Sequence, residues 1–292
     1  KRIKKKKKAK KVFVYEKSKK NQKKIKKLKL PCILVKRLGD VVKQVELIIL
    51  CVPMSEYKKV IIKINNYLTP KQIITDVGSA KMKSLEIIKK NLKRNIFWIS
   101  SHPIAGSEVS GPENGKYDLF ENKWCVLIKN KKTNLKRLKF LSSFWKKIGS
   151  KVVIMSPEKH DKIFSITSHL PHLIAYNLVK SAQDFEKKQK YDLIKYSAGG
   201  LRDFSRIAAS NEIMWRDIFF DNKTNVTKAI DLFIRNLNAF KKDINSKNNR
   251  SIAFEILLLL LKKISLHIIS LDAAILEKSL KPPALYLIKL YF

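Results

Sequence analysis

The sequence predicts an α/β protein: a parallel-sheet domain over residues 1–155, followed by an all-helical domain over residues 156–292. Three observations carry this reading. Short apolar runs alternate with amphipathic stretches as far as Met155. One of these runs, Glu46-Leu47-Ile48-Ile49-Leu50-Cys51-Val52-Pro53, is continuously apolar after its first residue, the pattern of a parallel strand buried on both faces. Beyond Ser156-Pro157-Glu158 the periodicity is helical with almost no strand signal. At 292 residues and 45% hydrophobic, the chain is long enough for two cores.

Residues 1–11 hold nine basic residues and almost no hydrophobic face, a basic tail if read alone. Val12-Phe13-Val14-Tyr15 is a short strand ending at Glu16, and Ser18 can cap a lysine-rich helix to about residue 29. An acidic residue closing the second strand of a dinucleotide fold accepts hydrogen bonds from the adenosine ribose hydroxyls and disfavours a 2′-phosphate. Glu16 therefore points to NAD, while Lys17 and Lys19 leave NADP open. Such a Rossmann-like domain opens with a strand, a Gly-rich turn and a helix, because glycine lets backbone N–H groups approach the pyrophosphate. Here the first glycine is Gly39 and the first residue is Lys1. The simplest account is a chain truncated at its N-terminus, with the first strand and the phosphate loop missing and dinucleotide affinity put in doubt.

The run ending in Cys51-Val52-Pro53-Met54 is expected to lie against the dinucleotide through Val52 and Pro53. A helix over residues 56–67 and a Thr69-Pro70 turn lead to the strand Ile73-Ile74-Thr75. That strand ends in Asp76-Val77-Gly78-Ser79, where Asp76 and Gly78 are assigned to the cofactor and Gly78 allows close backbone approach. Ser79 would also suit a helix N-cap. Ile96-Phe97-Trp98-Ile99 is a further apolar strand, followed by strands over 124–128 and 151–155 and a helix over 134–148. Ser156 caps the next helix, with Pro157 at its first position. Residues 252–276 read as a hydrophobic helix suited to a dimer surface, and the tail to Phe292 is assigned no role.

Three widely spaced cysteines, Cys32, Cys51 and Cys125, form no CxxC or Cys/His metal pattern, so no metal is expected and a reduced cytoplasm fits best. No apolar run approaches the roughly 20 residues needed to span a bilayer, the run at 256–261 having six, and no signal peptide is visible. Lysine and arginine number 63 against 24 acidic residues, a net charge of +39. Nucleic acid is nevertheless disfavoured as a partner. The excess is mostly lysine spread along the whole chain, with few arginines to read phosphates or bases. Abundant Lys, Ile and Asn with only eight glycines is the pattern that A/T-rich codon usage produces. The charge would still steer anionic ligands toward the surface.

The chemistry concentrates in the loop Ser100-Ser101-His102-Pro103-Ile104-Ala105-Gly106-Ser107-Glu108, after the strand at 96–99. A polar, Gly-bearing loop at the end of an apolar strand is where an open α/β sheet places its site. A neutral imidazole, with an unperturbed pKa of about 6.5, can accept a proton near pH 7. The competing reading, a turn histidine bonded to backbone, is outweighed by the polar groups around His102.

This loop resembles the His-Pro-x-Ala-Gly-x-Glu signature of the prephenate and arogenate dehydrogenases of tyrosine biosynthesis. Three further stretches match in the same order: Thr75-Asp76-Val77-Gly78-Ser79-Ala80-Lys81, Ser168-His169-Leu170-Pro171-His172, and Gly199-Gly200-Leu201-Arg202-Asp203-Phe204-Ser205-Arg206 running on to Trp215. The resemblance spans about residues 12–237. It implies NAD-dependent oxidative decarboxylation of prephenate, or the same reaction on arogenate, by a homodimer built through the helical domain. It casts His102 as general base, Ser79 as its orienting partner, and Ser107 and Glu108 as the mouth of the site. It also casts Arg206, His172, Ser168 and Gly199 as substrate contacts. Arg206 suits a substrate carboxylate because a guanidinium pairs bidentately where lysine cannot. Pro171 is expected to bend its helix so that His169 and His172 face the cleft. Gly199-Gly200 is expected to break the helical pattern so that an Arg202-Asp203 turn approaches the ligand. An inactive fragment and a basic nucleic-acid-binding protein are the rival readings.

Overall fold

The structure, a computed structural model, describes residues 11–106, 111–190, 192–248, 250–253 and 256–257. Ser107, Glu108, the basic residues 1–10 and most of 252–292 lie outside the described residues. The chain divides into two compact units, residues 1–230 and 231–292.

In the first unit, β1 (Phe13–Tyr15) pairs in parallel with β2 (Ile33–Val35) across α1 (Lys19–Lys27). Ser18 caps α1 as expected, accepting from the Asn21 N–H. A short α2 (Gly39–Val42) precedes β3 (Leu47–Leu50), which begins a parallel sheet of order β3-β4-β5. Here β4 is Ile73–Asp76 and β5 is Phe97–Trp98. Parallel neighbours need a crossover, supplied by α3 (Tyr57–Asn65) and α4 (Met82–Asn91).

The stretch expected as a loop after 96–99 is instead a strand, β6 (Ser101–Pro103), antiparallel to β7 (Trp124–Ile128) with His102 opposite Val126. Its two serines explain the difference. The buried Ser101 hydroxyl lies 2.6 Å from the Thr75 hydroxyl and accepts from the Trp145 indole at 3.0 Å, which pins the segment between β4 and α5 (Leu135–Lys147). The Ser100 hydroxyl accepts from Trp98 at 3.0 Å. β8 (Lys151–Met155) then runs parallel to β7.

Ser156 caps α6 (Pro157–Phe164), with Pro157 in its first turn as expected. Residues Ser165–His169 then form a π-helical segment that runs into α7 (Leu170–Gln189). The distortion near Pro171 is therefore a π-bulge just before the proline, in a helical run that continues unbroken from α6 into α7. Gly199-Gly200 does not break a helix either. The pair forms the first turn of α8 (Gly199–Ala208), and Arg202 and Asp203 lie on that helix rather than in a turn. α9 (Glu212–Asp221) and α10 (Lys223–Asn245) follow.

Trp215 and Ile218 of α9 share one core with Tyr57, Ile61 and Ile64 of α3, Ile74 of β4 and Ile88 of α4. Helices beyond residue 155 therefore complete the core of the sheet. In the second unit, the Ser251 hydroxyl donates to Asp243 at 2.7 Å.

Beneath this core lies a fully buried ion pair. Lys81 Nζ donates to Asp76 at 2.7 Å and to the Ser101 carbonyl at 2.6 Å, and both charged side chains are 0% exposed. The Asp76 carboxylate also accepts from the Tyr57 hydroxyl, the Gly78 N–H and the Trp98 indole. Asp76 was expected at the cofactor, but these four donors occupy its carboxylate inside the protein. Gly78 does meet a close approach, from the Tyr57 hydroxyl 2.7 Å from where a Cβ would stand. Removing one partner of a buried pair leaves the other charge uncompensated, so Lys81→Met should lower urea-unfolding stability by about 3–5 kcal/mol. Adding Asp76→Asn should recover part of that loss.

Candidate active site

The candidate base sits on β6, which ends the short stretch from the β5 edge. His102 is 7% exposed, with Phe164 4.8 Å from its ring. Its Nδ1 lies 2.8 Å from Nε2 of His160, a residue of α6. His160 Nδ1 lies 2.8 Å from Asp161 Oδ1. Asp161 caps α4: its two carboxylate oxygens accept from the Lys81 N–H at 2.8 Å and the Met82 N–H at 2.9 Å. These are among the N-terminal donors that a helix leaves unpaired. Ser79 does not perform that cap, and the hydrogen-bond partner of His102 is His160 rather than Ser79. Ser79 is half-buried, and its main chain favours the protonated form of His169.

Burial holds the His102 ring well below the usual histidine range, and the neighbouring His160, Lys81 and His169 push the same way. His160 is lowered chiefly by burial, against the opposing pull of Asp161. His169 is lowered to about 4, again mainly by burial. The His102 imidazole is therefore neutral at physiological pH, which is the form a base requires.

On the helical side two expected substrate residues, His172 and Ser168, are in contact. His172 stacks on Trp215 with ring centroids 3.6 Å apart, and its Nδ1–H donates to the Ser168 carbonyl at 3.0 Å. His169 was expected to face the cleft. It is instead fully buried, with its Nδ1 3.1 Å from the Asn222 amide. Arg206 lies exposed in the last turn of α8. Asp217 is engaged by Arg216 at 2.6 Å and by the Ser55 N–H at 3.0 Å, which ties α9 to the segment after β3. At the carboxyl ends of the strands, Val52 and Pro53 are exposed after β3. Glu16 follows β1, where one carboxylate oxygen accepts from the Ser18 N–H at 2.8 Å. Among the described residues no His/Cys/Asp/Glu cluster suits a metal ion.

Residues 1–154 match the nucleotide-binding domain of prephenate dehydrogenase, and residues 156–257 match its dimerization domain. The chain belongs to the prephenate dehydrogenase family. Among its relatives, the cyclohexadienyl dehydrogenase of Zymomonas mobilis is 34% identical over 211 residues, 72% of this chain and 72% of that protein. The prephenate dehydrogenase of Bacillus subtilis is 36% identical over 177 residues, 60% of this chain and 47% of that one. The crystal structure of Aquifex aeolicus prephenate dehydrogenase, in complex with hydroxyphenyl propionate and NAD+, superposes with a TM-score of 0.80 at 33% identity, covering 92% of each chain. Family membership makes this chain an oxidoreductase with a nucleotide-binding domain of the Rossmann type and a helical dimerisation domain.

His160, Asp161, Lys81 and Asn222 were not singled out from sequence. The one available signal was a His-Asp pair on the helix that opens at Ser156, and nothing in its spacing linked it to a histidine 58 residues earlier.

The three buried histidines bind protons less readily folded than unfolded. Below about pH 6.5 the unfolded chain takes up more protons, so stability should fall as the pH drops. Asp221, raised to about 6 by burial and by Asp217, opposes this below that pH because its folded form keeps a proton longer. With three groups against one, thermal melts should show a lower unfolding midpoint at pH 5.5 than at pH 7.5.

Proposed function

We propose that this chain oxidatively decarboxylates prephenate, with NAD as hydride acceptor and His102 as general base. The observation that carries the reading is a buried, neutral imidazole on β6, in a chain of the prephenate dehydrogenase family. The residues at the carboxyl ends of β1 and β3 suit a dinucleotide. Glu16 closes β1 with one carboxylate oxygen on Ser18 and capacity left for ribose hydroxyls, and Val52 and Pro53 present an exposed surface at the carboxyl end of β3. When bound, NAD supplies the nicotinamide that accepts the hydride from the ring carbon bearing the hydroxyl.

The protein's own part is orientation and proton handling. His102 accepts a hydrogen bond from the substrate hydroxyl and takes its proton. As CO2 departs and the ring aromatises, His102 can return that proton to the phenolate oxygen. Arg206 pairs with a substrate carboxylate, with His172 and Ser168 on the same helical wall. Aromatisation makes the step downhill, so positioning dominates the protein's contribution. The strongly basic chain favours the approach of a dianionic substrate.

The functional assembly is a homodimer through the helical domain, residues 156–292, working in the cytoplasm. No described helix is long and apolar enough to cross a membrane.

Adding prephenate and NAD to the purified chain should raise reduced-cofactor absorbance, and arogenate tested in parallel decides between the two substrates. No reduction with either, at an NAD concentration shown to saturate the protein, would overturn the reading. His102→Asn should lower turnover by about 100-fold with folding retained, and unchanged turnover would remove its role as base. Arg206→Lys should raise the KM for prephenate by about tenfold or more while kcat changes little, since it replaces a bidentate contact with a point charge.

A further inference from the structure

We propose that His160 and Asp161 are positioning residues that hold His102 in the one tautomer able to accept a proton at Nε2. The inference rests on the assignment of His102 as base and follows from hydrogen-bond directions alone. An ionised carboxylate only accepts. Asp161 Oδ1 lies 2.8 Å from His160 Nδ1, so that nitrogen carries the hydrogen. A neutral imidazole carries one, so His160 Nε2 holds a lone pair. That lone pair faces His102 Nδ1 at 2.8 Å, so His102 Nδ1 is the donor and His102 Nε2 is left as the basic atom.

The chain of contacts is anchored at its far end. Asp161 cannot turn away, because its oxygens also hold the Lys81 and Met82 N–H groups and its carbonyl accepts from Asn222 at 2.8 Å. These backbone donors have fixed direction, so both oxygens must remain acceptors. Phe164 packs on both rings, with centroids 4.8 Å from His102 and 4.5 Å from His160. The rings are thereby held on their faces by carbon and on their edges by nitrogen contacts.

The relay also prepares for the proton that arrives. Once His102 is protonated at Nε2, its Nδ1–H still donates to His160, and the Asp161 carboxylate one ring away offsets the new charge. The other charged and titratable groups around the pair are Lys81 and Asp76 from the β4–α4 side, His169 from the π-helical segment and Cys125 from β7. Lys81 and His169 disfavour the imidazolium, which leaves Asp161 as the compensating partner on the relay side.

Two variants and one spectrum test this on the full chain. His160→Leu removes the acceptor and should lower kcat by about tenfold or more, with the KM values for prephenate and NAD within about threefold of the parent. His160→Gln places an amide oxygen near the former Nε2 and should restore most of the lost kcat. In ¹⁵N-histidine spectra of the parent at pH 7.5, His102 should show a protonated Nδ1 and a lone-pair Nε2, with the signal assigned by its loss in His102→Asn. In His160→Leu the same ring should show mixed tautomers. A parent spectrum with the hydrogen on Nε2, or a folded His160→Leu with parental kcat, would overturn the proposal. Should His160→Leu fail to fold, the parent tautomer decides alone. A fully active His102→Asn would instead remove the base assignment while leaving the tautomer result to judge the relay.

Discussion

The Asp161 carboxylate is the joint on which the site depends. One buried side chain accepts from two main-chain donors of α4 and from the His160 ring, while its own carbonyl accepts from Asn222 at the end of α9. A hydrogen bond to a charged group contributes about 1.5–3 kcal/mol, and a buried donor left without its partner costs a similar amount. The sheet crossover, the first helix after the sheet and the last turn of α9 therefore meet at one charge. That meeting sets the height of α6 against β6 and so brings two histidines, 58 positions apart in sequence, to 2.8 Å.

Around this joint the protein separates two kinds of electrostatics. The chain as a whole carries a net +39, screened by salt and useful for drawing in anions. The interior is arranged by pairing: Lys81 is matched by Asp76, and Asp161 by main-chain dipoles. Such pairing keeps a cation beside His102 and helps keep the imidazole unprotonated. A basic exterior and a neutral interior base suit a reaction whose substrate is an anion and whose step removes a proton.

Several elements were legible because local chemistry decides them. Ser18 and Ser156 cap the helices that their side chains predict. The apolar run at 46–53 and the strands at 124–128 and 151–155 fall where the pattern places them. Four collinear motifs sufficed to identify the family, since residue type and order survive in the chain itself. Other readings failed where a distant contact overruled a local preference. The stretch Ser101–Pro103 has loop-forming neighbours, yet Thr75 and Trp145 hold it as a strand. Gly199-Gly200 looked like a breaker, yet glycine is tolerated in a helix's first turn.

By itself the sequence determined the fold class and the family, because these rest on periodicity, on capping chemistry and on motif order, and the same motif order nominated His102 as the candidate base. Only the tertiary structure decided what surrounds that base. Asp76 proved to be the buried partner of Lys81, and His169 a fully buried residue beside Asn222. The His102–His160–Asp161 chain exists only once β6 and α6 have packed. The reason is physical: a hydrogen-bond direction belongs to a pair of groups, and no spacing along the chain reports which distant donor a buried carboxylate will meet.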